Sequence, residues 1–486
     1  MLIVVFILCT ETLCKGIDRE MDEQGWRHSV GALRLKDPGG KDGLISSCPE
    51  RYAFTWPGKA AMLAALNEPA KSVLRPSPEA SVAARRVPHG VIEGDNLEAL
   101  KRLRKRYRGL VKMIYIDPPY NTGGDFLYAD NFRQVRGAHA NEESRRHACW
   151  LNMIYPRLVL ARELLSEDGV LFVSIDDHEV HTLRLVLDEI FGSAHFVAMF
   201  PWQSRTSRQN DTDLCVQHEY VVAYARRRRN TQRRLSAANR AGWYDLPGFA
   251  VRPLDVQAGR YANPDNDRRG PWKTDPFDAP NVRPALTYPI TNPATGQVFM
   301  PPPGRCWRTG PDRFAALCAD GRILFGRRGR SRPQLKVFLD EKAALGEVAC
   351  TWLDGAGFGT ARAGTRELQA LFGARVPFAY PKPTTLLRFL LRLSTGPDDL
   401  VMDFFAGSGA TGHAVLAENR ADGGRRRFVL VQSPEPTGDP RWPTIAHITR
   451  ERLRRVVAEL GGDEGFRAWR LVSPDRGASR SGTPPR

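Results

Sequence analysis

The sequence predicts an α/β fold in which helices cover both faces of a mostly parallel β-sheet. Two stretches, 86–201 and 347–472, alternate strand-like apolar runs with runs of helical period, which is typical of parallel sheets. Turns rich in proline or glycine follow two of the strand-like runs. Because ligands of open parallel sheets bind beyond the carboxyl ends of the strands, we expect functional residues in these turns.

The predicted elements follow one another in a regular order. The predicted strands cover residues 90–93, 111–116, 169–175, 399–403 and 427–432. The clearest helical patterns are an amphipathic run from Trp150 to Leu165 and a helix that begins near His413. The chain then divides into an N-terminal extension (1–85), a first α/β part (86–201), an insert (202–346), a second α/β part (347–472) and a disordered tail (473–486).

Composition narrows the class of protein and of partner. The 486 residues are 42% hydrophobic, which suits two or three structural units. Lys and Arg number 71 against 54 Asp and Glu, and the net charge of +17 favours a polyanionic partner such as nucleic acid. An organism that uses arginine freely on solvated surfaces would produce the same excess, so charge alone leaves both interpretations open.

Cysteine usage and the first residues bear on the compartment. The eight cysteines form no Cys-x-x-Cys pair, so we expect no zinc or other metal and a reduced, cytoplasmic protein. The apolar run 1–8 is too short to span a membrane and lacks the basic start of a signal peptide, so we expect no membrane attachment. A cleaved export sequence and a misplaced start codon are the alternative interpretations of that run.

The insert, 202–346, differs in texture from the rest of the chain. Proline, glycine, arginine and aromatic residues dominate it, and helical periodicity largely disappears. Clustered arginines and aromatic rings suit phosphates and stacked bases, although each arginine alone fits a solvated β-rich surface equally well. The residues concerned are 226–229, 233–234, 268–269, 327–328, Trp243, Tyr244, Trp272 and Trp307.

The first motif is the turn Asp117-Pro118-Pro119-Tyr120, which follows a predicted strand. The two prolines stiffen the backbone and remove its amide donors. Asp117 and the carbonyl of Pro118 can then accept both hydrogens of an exocyclic amino group, while Tyr120 offers a face for a base to stack on. An ordinary loop is the alternative interpretation, and the position after a strand favours the functional one.

The second motif is the glycine loop at 407–412, which also follows a predicted strand. It matches the dinucleotide fingerprint, but glycines allow close approach to any nucleoside and suit S-adenosylmethionine equally. Asp403 precedes the loop and is expected to contact the cofactor. Glu435 follows the next strand, where an acid can hold ribose hydroxyls; a solvated loop residue is its alternative interpretation.

A series of motifs with these two resembles the β-group amino methyltransferases, and most closely the modification subunits of type III restriction systems. The motifs include residues 52–59, 92–98, 114–123, 150–158, 164–177, 218–220, 269–272, 301–307, 378–383 and 403–409. The order is also that of the family, with the Asp-Pro-Pro-Tyr turn before the cofactor loop and a target-recognition region between them. The resemblance implies an S-adenosylmethionine-dependent, Rossmann-like methyltransferase fold interrupted by that region.

The resemblance also implies roles for individual residues. The first α/β part becomes the catalytic part of the methyltransferase domain and the second its cofactor-binding part. The residues implied to hold a flipped adenine of double-stranded DNA, including the catalytic turn, are Asp95, Asp117, Pro118, Pro119, Tyr120 and Asn121. Those implied to bind S-adenosyl-L-methionine are Phe378, Lys382, Pro383, Asp403, Phe404, Phe405, Gly407, Gly409 and Glu435. For Lys382 and Pro383, a turn at a helix start is the alternative.

Departures from the family pattern concern the partners. The insert and the carboxyl-terminal part are shorter than is usual in modification subunits, which puts the restriction nuclease subunit in doubt and makes a solitary methyltransferase the alternative. The resemblance favours a homodimer. Other functions that stay open are a cytosine-N4 or RNA amino methyltransferase and a non-catalytic DNA-binding specificity protein. A nicotinamide-dependent oxidoreductase rests on the glycine loop alone and gives Asp117 no role.

Overall fold

The computed structural model describes residues 54–122, 142–208, 213–229, 247–375, 377–461 and 463–474. The described residues belong to one compact unit that begins at Phe54. Several predictions fall outside the described residues, namely those on the extension before residue 54, on residues 233–234, on Trp243 and Tyr244, and on the tail from residue 475.

Helices and strands alternate along most of this unit. Its helices are α1 (Lys59–Leu66), α2 (Asn96–Tyr107), α3 (Glu142–Leu164), α4 (Val180–Phe191), α5 (Pro311–Ala319), α6 (Leu339–Ala343), α7 (Gly355–Phe358), α8 (Ala361–Phe372), α9 (Thr384–Ser394), α10 (Ala410–Asp422) and α11 (Ile445–Glu459). Its strands are β1 (Val73–Pro76), β2 (Arg86–Glu93), β3 (Val111–Ile116), β4 (Leu165–Ile175), β5 (Phe196–Gln203), β6 (His218–Ala225), β7 (Trp272–Pro276), β8 (Asp278–Pro280), β9 (Ile290–Thr291), β10 (Val298–Phe299), β11 (Arg305–Trp307), β12 (Ile323–Leu324), β13 (Gln334–Phe338), β14 (Leu400–Asp403), β15 (Arg427–Gln432), β16 (Pro436–Asp439), β17 (Trp442–Thr444) and β18 (Glu464–Val472).

A nine-stranded sheet forms the centre of the fold, in the order β1-β18-β2-β15-β14-β3-β4-β6-β5. The six strands from β18 to β4 run parallel, while β1 and β6 each join an edge of this block in the antiparallel direction. The predicted mostly parallel α/β sheet is therefore confirmed. The sheet also includes β6, which lies inside the range predicted as insert, and the boundaries of the insert stay a prediction.

Helices cover both faces of the sheet. Side chains of a strand alternate between its two faces, so neighbouring residues of one strand enter different cores. On β3, Ile114 and Ile116 belong to a core that includes side chains of α2, α3 and α4. Their neighbours Met113 and Tyr115 belong to a second core that includes side chains of α9, α10 and α11. Both faces of the central strands are buried, which explains why these strands are nearly continuous apolar runs.

The strands of the region from β7 to β13 form small antiparallel sheets. They surround a separate core that contains Phe277 and Trp307, both fully buried. Trp307 was expected among the rings that stack on bases, and this expectation is wrong because its side chain fills the core and donates to the carbonyl of Tyr288 at 2.7 Å. Arg327, Arg328 and Arg268 are exposed, so they remain available to a polyanion.

The described residues contain neither a candidate membrane span nor a candidate metal-binding cluster. None of the helices in that part of the chain is long and apolar enough to cross a membrane. The same part of the chain contains no group of three or more His, Cys, Asp or Glu side chains arranged to hold a metal ion.

Candidate active site

A cavity of about 470 Å³ opens at the carboxyl edge of the parallel sheet. Strands β3 and β14 are hydrogen-bonded neighbours in that sheet, and their parallel direction brings the turns after both to the same edge. Asp117 follows β3, and Phe405 follows β14. The cavity therefore lies between the two motifs that the sequence singled out, although these motifs are far apart along the chain.

Most of the predicted site residues line this cavity. They are Asp117, Pro118, Pro119, Tyr120, Asn121, Phe378, Lys382, Phe405, Gly407 and Glu435. The other predicted residues, which do not line it, are Asp95, Pro383, Asp403, Phe404 and Gly409. The structure thus brings the two predicted groups together, and the roles of the individual residues stay predictions.

Lys382 binds the carboxylate of Asp117 from inside the cavity wall. Its Nζ lies 2.9 Å from both carboxylate oxygens and 2.8 Å from the hydroxyl of Tyr120. That hydroxyl donates to Oδ1 of Asp117 at 2.8 Å. The side chain of Lys382 is only 7% exposed, so this ion pair is largely shielded from water.

A second carboxylate, that of Glu219, faces the same lysine. Its Oε2 lies 3.5 Å from Nζ of Lys382 and 3.2 Å from the hydroxyl of Tyr120. Burial opposes the charge of Lys382, but Asp117 and Glu219 outweigh it and raise the pKa of the ammonium above its ordinary value. Burial and the two carboxylates also raise the pKa of Tyr120 well above its ordinary value, so Lys382 stays charged and Tyr120 neutral.

The turn that carries Asp117 is fixed by buried side chains behind it. Nε1 of Trp150 donates to the carbonyl of Pro119 at 2.7 Å. Asn121 adopts a left-handed backbone conformation with φ of 64°, which asparagine tolerates better than most residues. Its Nδ2 donates to the fully buried Glu179 at 2.5 Å, and Glu179 also accepts from Nδ1 of His147 at 2.6 Å when that nitrogen carries a proton.

Glycine is required in the loop on the other side of the cavity. Gly407 has φ of 52°, and a Cβ atom at this position would lie 2.9 Å from Cζ of Phe378. Its amide donates to Oε1 of Gln432 at 2.7 Å, and its carbonyl accepts from Oγ1 of Thr449 at 2.6 Å. These contacts hold the loop close to the ring of Phe378, and the backbone of the loop lies at the cavity surface.

Asp403 supports the loop from below. The carboxylate is buried, accepts from the amide of Phe405 at 2.9 Å and from Oγ1 of Thr411 at 2.6 Å. Burial raises the pKa of Asp403 to about 7, because these two donors offset only part of the cost of an ion in the core. Its position indicates that it shapes the loop, and the expected direct contact with a cofactor stays a prediction.

Glu435 places a further carboxylate in the cavity. It follows β15, and its side chain accepts a hydrogen bond from Oγ of Ser433. Burial raises its pKa above the ordinary value. Its backbone carbonyl accepts from the amide of Ile445 at 2.9 Å, which fixes the segment that carries it. An acid here and the ring of Phe378 both border the space above the glycine loop.

Comparison with known proteins identifies the family. A family model described as DNA methylase matches residues 111–431, which include both motifs and the insert. The chain belongs to this DNA methylase family.

Curated relatives agree with this assignment. The Mod subunit of the type III restriction-modification enzyme StyLTI of Salmonella typhimurium is 33% identical over 79% of the chain and 60% of its own length. The EcoP15I Mod subunit of Escherichia coli is 31% identical over 89% of the chain and 73% of its own length. The type II methyltransferase M.KpnI of Klebsiella pneumoniae is 29% identical over 76% of the chain and 84% of its own length. The chain therefore spans less than two thirds of the StyLTI subunit.

In this member of the DNA methylase family, the predicted residues outside the cavity occupy structural positions. Asp95 is the N-terminal cap of α2, where it accepts from the amide of Glu98 at 2.8 Å, and it pairs with Arg157 at 3.3 Å. Pro383 is the residue before α9. Phe404 is fully buried in the core, and Gly409 is the residue before α10, with φ of 82°.

Several cavity residues had no individual assignment in the sequence analysis, including Asp176, Arg205, Glu219, Tyr380 and Gln432. Asp176 and Gln432 stand at or just after the ends of parallel strands, so their positions carried a signal. Glu219 stands near the start of β6, and only the antiparallel pairing of β6 with β4 brings that start to the carboxyl edge. The sequence gives no sign of this pairing.

Proposed function

We propose that this DNA methylase transfers a methyl group from S-adenosyl-L-methionine to N6 of an adenine that has left the DNA helix. The observation that carries the proposal is one cavity lined by both the Asp117 turn and the glycine loop at Gly407. An acceptor-rich turn opposite a loop suited to a nucleoside is what transfer to an exocyclic amino group requires.

The charges of the cavity wall favour this cofactor over a dinucleotide. The carboxylic acids and basic residues that line the cavity are four acids and two bases, namely Asp117, Asp176, Glu219, Glu435, Arg205 and Lys382. An excess of acids suits a cation and disfavours an anionic pyrophosphate. S-adenosyl-L-methionine carries a positive sulfur, so the acidic residues of the cavity wall fit it. Glu435 would accept from its ribose hydroxyls, and Phe378 would pack against its adenine ring.

The acceptor turn would activate the amino group by position. Asp117 and the carbonyl of Pro118 accept its two hydrogens, which favours a pyramidal nitrogen whose lone pair is available. Tyr120 provides an aromatic face for the base. When bound, the cofactor supplies a methyl group on a positive sulfur, and transfer places that charge on the nitrogen until a proton leaves. The negative carboxylate of Asp117 stabilises this charge as it develops.

The DNA would be double-stranded and would meet the insert. Exposed arginines of that region, among them Arg268, Arg327 and Arg328, suit the phosphate backbone. By analogy with the StyLTI and EcoP15I Mod subunits, we propose that the protein is the modification component of a type III restriction-modification system, with a restriction subunit as partner. A homodimer and a cytoplasmic location, both expected from the sequence, are part of the same proposal. The likeness to the type II methyltransferase M.KpnI keeps a solitary enzyme as the outcome if no nuclease subunit co-purifies.

Methyl transfer to DNA tests the proposal directly. The experiment incubates the protein with labelled S-adenosyl-L-methionine and unmethylated genomic DNA and identifies the modified base by mass spectrometry. We expect N6-methyladenine from the wild type, none from Asp117→Ala, and a normal amount from Asp398→Ala, which removes an exposed carboxylate outside the cavity wall. Methylcytosine would move the chain to the cytosine-N4 enzymes. Binding of cofactor and DNA without any transfer would contradict the proposed activity.

A further inference from the structure

The ammonium of Lys382 lies between two carboxylates at the methyl acceptor end of the cavity. It is 2.9 Å from both oxygens of Asp117 and 3.5 Å from Oε2 of Glu219. The hydroxyl of Tyr120 contacts all three groups, at 2.8 Å, 3.2 Å and 2.8 Å from Asp117, Glu219 and Lys382 respectively. The four side chains form one connected network rather than separate pairs.

In this network, Lys382 competes with the amino group of the base for the carboxylate of Asp117. The amino group of a base is neutral, whereas Lys382 is a charged donor, and charged donors bind carboxylates more strongly. If Asp117 were the sole partner of the Lys382 ammonium, the amino group would have to displace the ammonium from Asp117. Lys382 would also cancel the negative charge that stabilises the positively charged nitrogen during transfer. A second acceptor for the ammonium removes both difficulties.

We propose that Glu219 is a positioning residue that retains the ammonium of Lys382 when an amino group binds Asp117. The inference rests on the proposed function. With Glu219 ionised, the three charged groups carry a net charge of −1, which favours the transient cation at the amino nitrogen. Glu219 acts through Lys382 and needs no contact with the base.

The backbone around Glu219 supports this role. Glu219 lies on β6 between two strands that fix its position along the sheet. Its neighbour Tyr220 pairs with Ile175 at the end of β4, and Glu219 itself pairs with Trp202 of β5. Lys382 has little freedom to leave, because it is buried and its Nζ also lies over the ring of Tyr120, 5.1 Å from the centroid. A short movement between the two carboxylates is therefore enough to change its partner.

A double-mutant cycle separates this role from a structural one. The four proteins are the wild type, Glu219→Gln, Lys382→Met and the double variant, each assayed for methyl transfer at saturating cofactor. In the wild-type background we expect Glu219→Gln to lower kcat about tenfold, as for residues that hold a reacting group in place. In the Lys382→Met background we expect the same substitution to have no cost or to raise kcat, because it removes a carboxylate that then faces Asp117 without a cation.

A matched control comes from a similar trio outside the cavity wall. Glu189 accepts from Nζ of Lys59 at 2.6 Å and from the hydroxyl of Tyr155 at 2.8 Å. Glu189→Gln should therefore lose a Lys–Tyr–Glu network of the same kind and leave kcat unchanged. Calorimetric titration with S-adenosyl-L-methionine checks that each variant is folded and binds the cofactor.

The outcomes distinguish the inference from the proposed function. An equal loss of kcat from Glu219→Gln in both backgrounds would assign Glu219 a structural role and overturn the inference. A wild-type kcat for Glu219→Gln would overturn it as well. Failure of the wild type to methylate DNA would instead overturn the proposed function, and this result is read before any variant is compared. If Glu219→Gln does not fold, Glu219→Asp takes its place in the cycle, because it keeps the charge but draws the carboxylate back from Lys382. It should then lower kcat in the wild-type background and not in the Lys382→Met background, and an equal loss in both would overturn the inference.

Discussion

Replacing Gly407 by alanine tests whether the glycine loop is shaped for the cofactor. The left-handed backbone at this position, with φ of 52°, costs a residue that has a Cβ atom about 1–2 kcal/mol. The new Cβ would also lie 2.9 Å from Cζ of Phe378 and force the ring away from the loop. An aromatic contact contributes about 0.5–1.5 kcal/mol, so its loss should weaken cofactor binding about two- to tenfold.

The matched control is Gly423→Ala at the end of α10. Gly423 has φ of 72°, but a Cβ atom there would meet nothing within 4 Å. Both variants should lose about 1–2 kcal/mol of unfolding free energy in urea from backbone strain, and Gly407→Ala should lose somewhat more because its Cβ also displaces Phe378. Only Gly407→Ala should lose affinity for S-adenosyl-L-methionine in calorimetric titration. Equal affinities for the two variants would refute the reasoning, because the contact with Phe378 would then have no part in binding.

Three further substitutions give distinct results. The pKa of Asp403 is raised from 3.8 to about 7, so its contribution to stability is complete below about pH 4 and is lost as the pH rises through 7. The melting temperature of Asp403→Asn minus that of the wild type should therefore increase between pH 5 and 8. A constant difference would contradict this. Tyr380 has φ of 51°, so Tyr380→Asn should add about 1 kcal/mol of unfolding free energy in urea, and a loss would show that the ring packs favourably. A Cβ at Gly364 would lie 1.9 Å from the carbonyl oxygen of Pro381, so Gly364→Ala should cost about 2–3 kcal/mol and lower methyl transfer, whereas unchanged activity would show that the segment adapts.

The central sheet was predictable because its strands are buried on both faces. Strands β3, β14 and β15 carry apolar runs that no amphipathic helix would show, and each is followed by a distinct turn. The edges were not predictable in this way. β6 pairs with β4 in the antiparallel direction, and β18 returns from the end of the chain to pair with β2. Both pairings depend on long-range contacts that no local pattern records.

The cavity was predictable to the same extent as the sheet that forms it. Asp117 and Phe405 follow parallel strands, so topology alone brings them to one edge. Asp403 shows the limit of that argument, because a carboxylate in the same position can face a ligand or be buried beneath the loop. Here it is buried, where it accepts from the amide of Phe405 and the hydroxyl of Thr411. Glu219 depends on an unforeseen strand pairing. Local pattern therefore locates a site, while the orientation of each side chain requires the packing around it.

One short segment links the two halves of the cavity. Phe378, at its beginning, packs against the glycine loop at Gly407, and Lys382, four residues later, binds Asp117. The carbonyl of Pro381 between them lies so close to Gly364 that α8 permits little displacement. This anchor lies between Phe378 and Lys382, so it limits the movement of both the ring and the ammonium. The same short segment therefore sets the position of a ring beside the glycine loop and of the cation bound to Asp117, which makes the geometry of the two sides of the cavity interdependent.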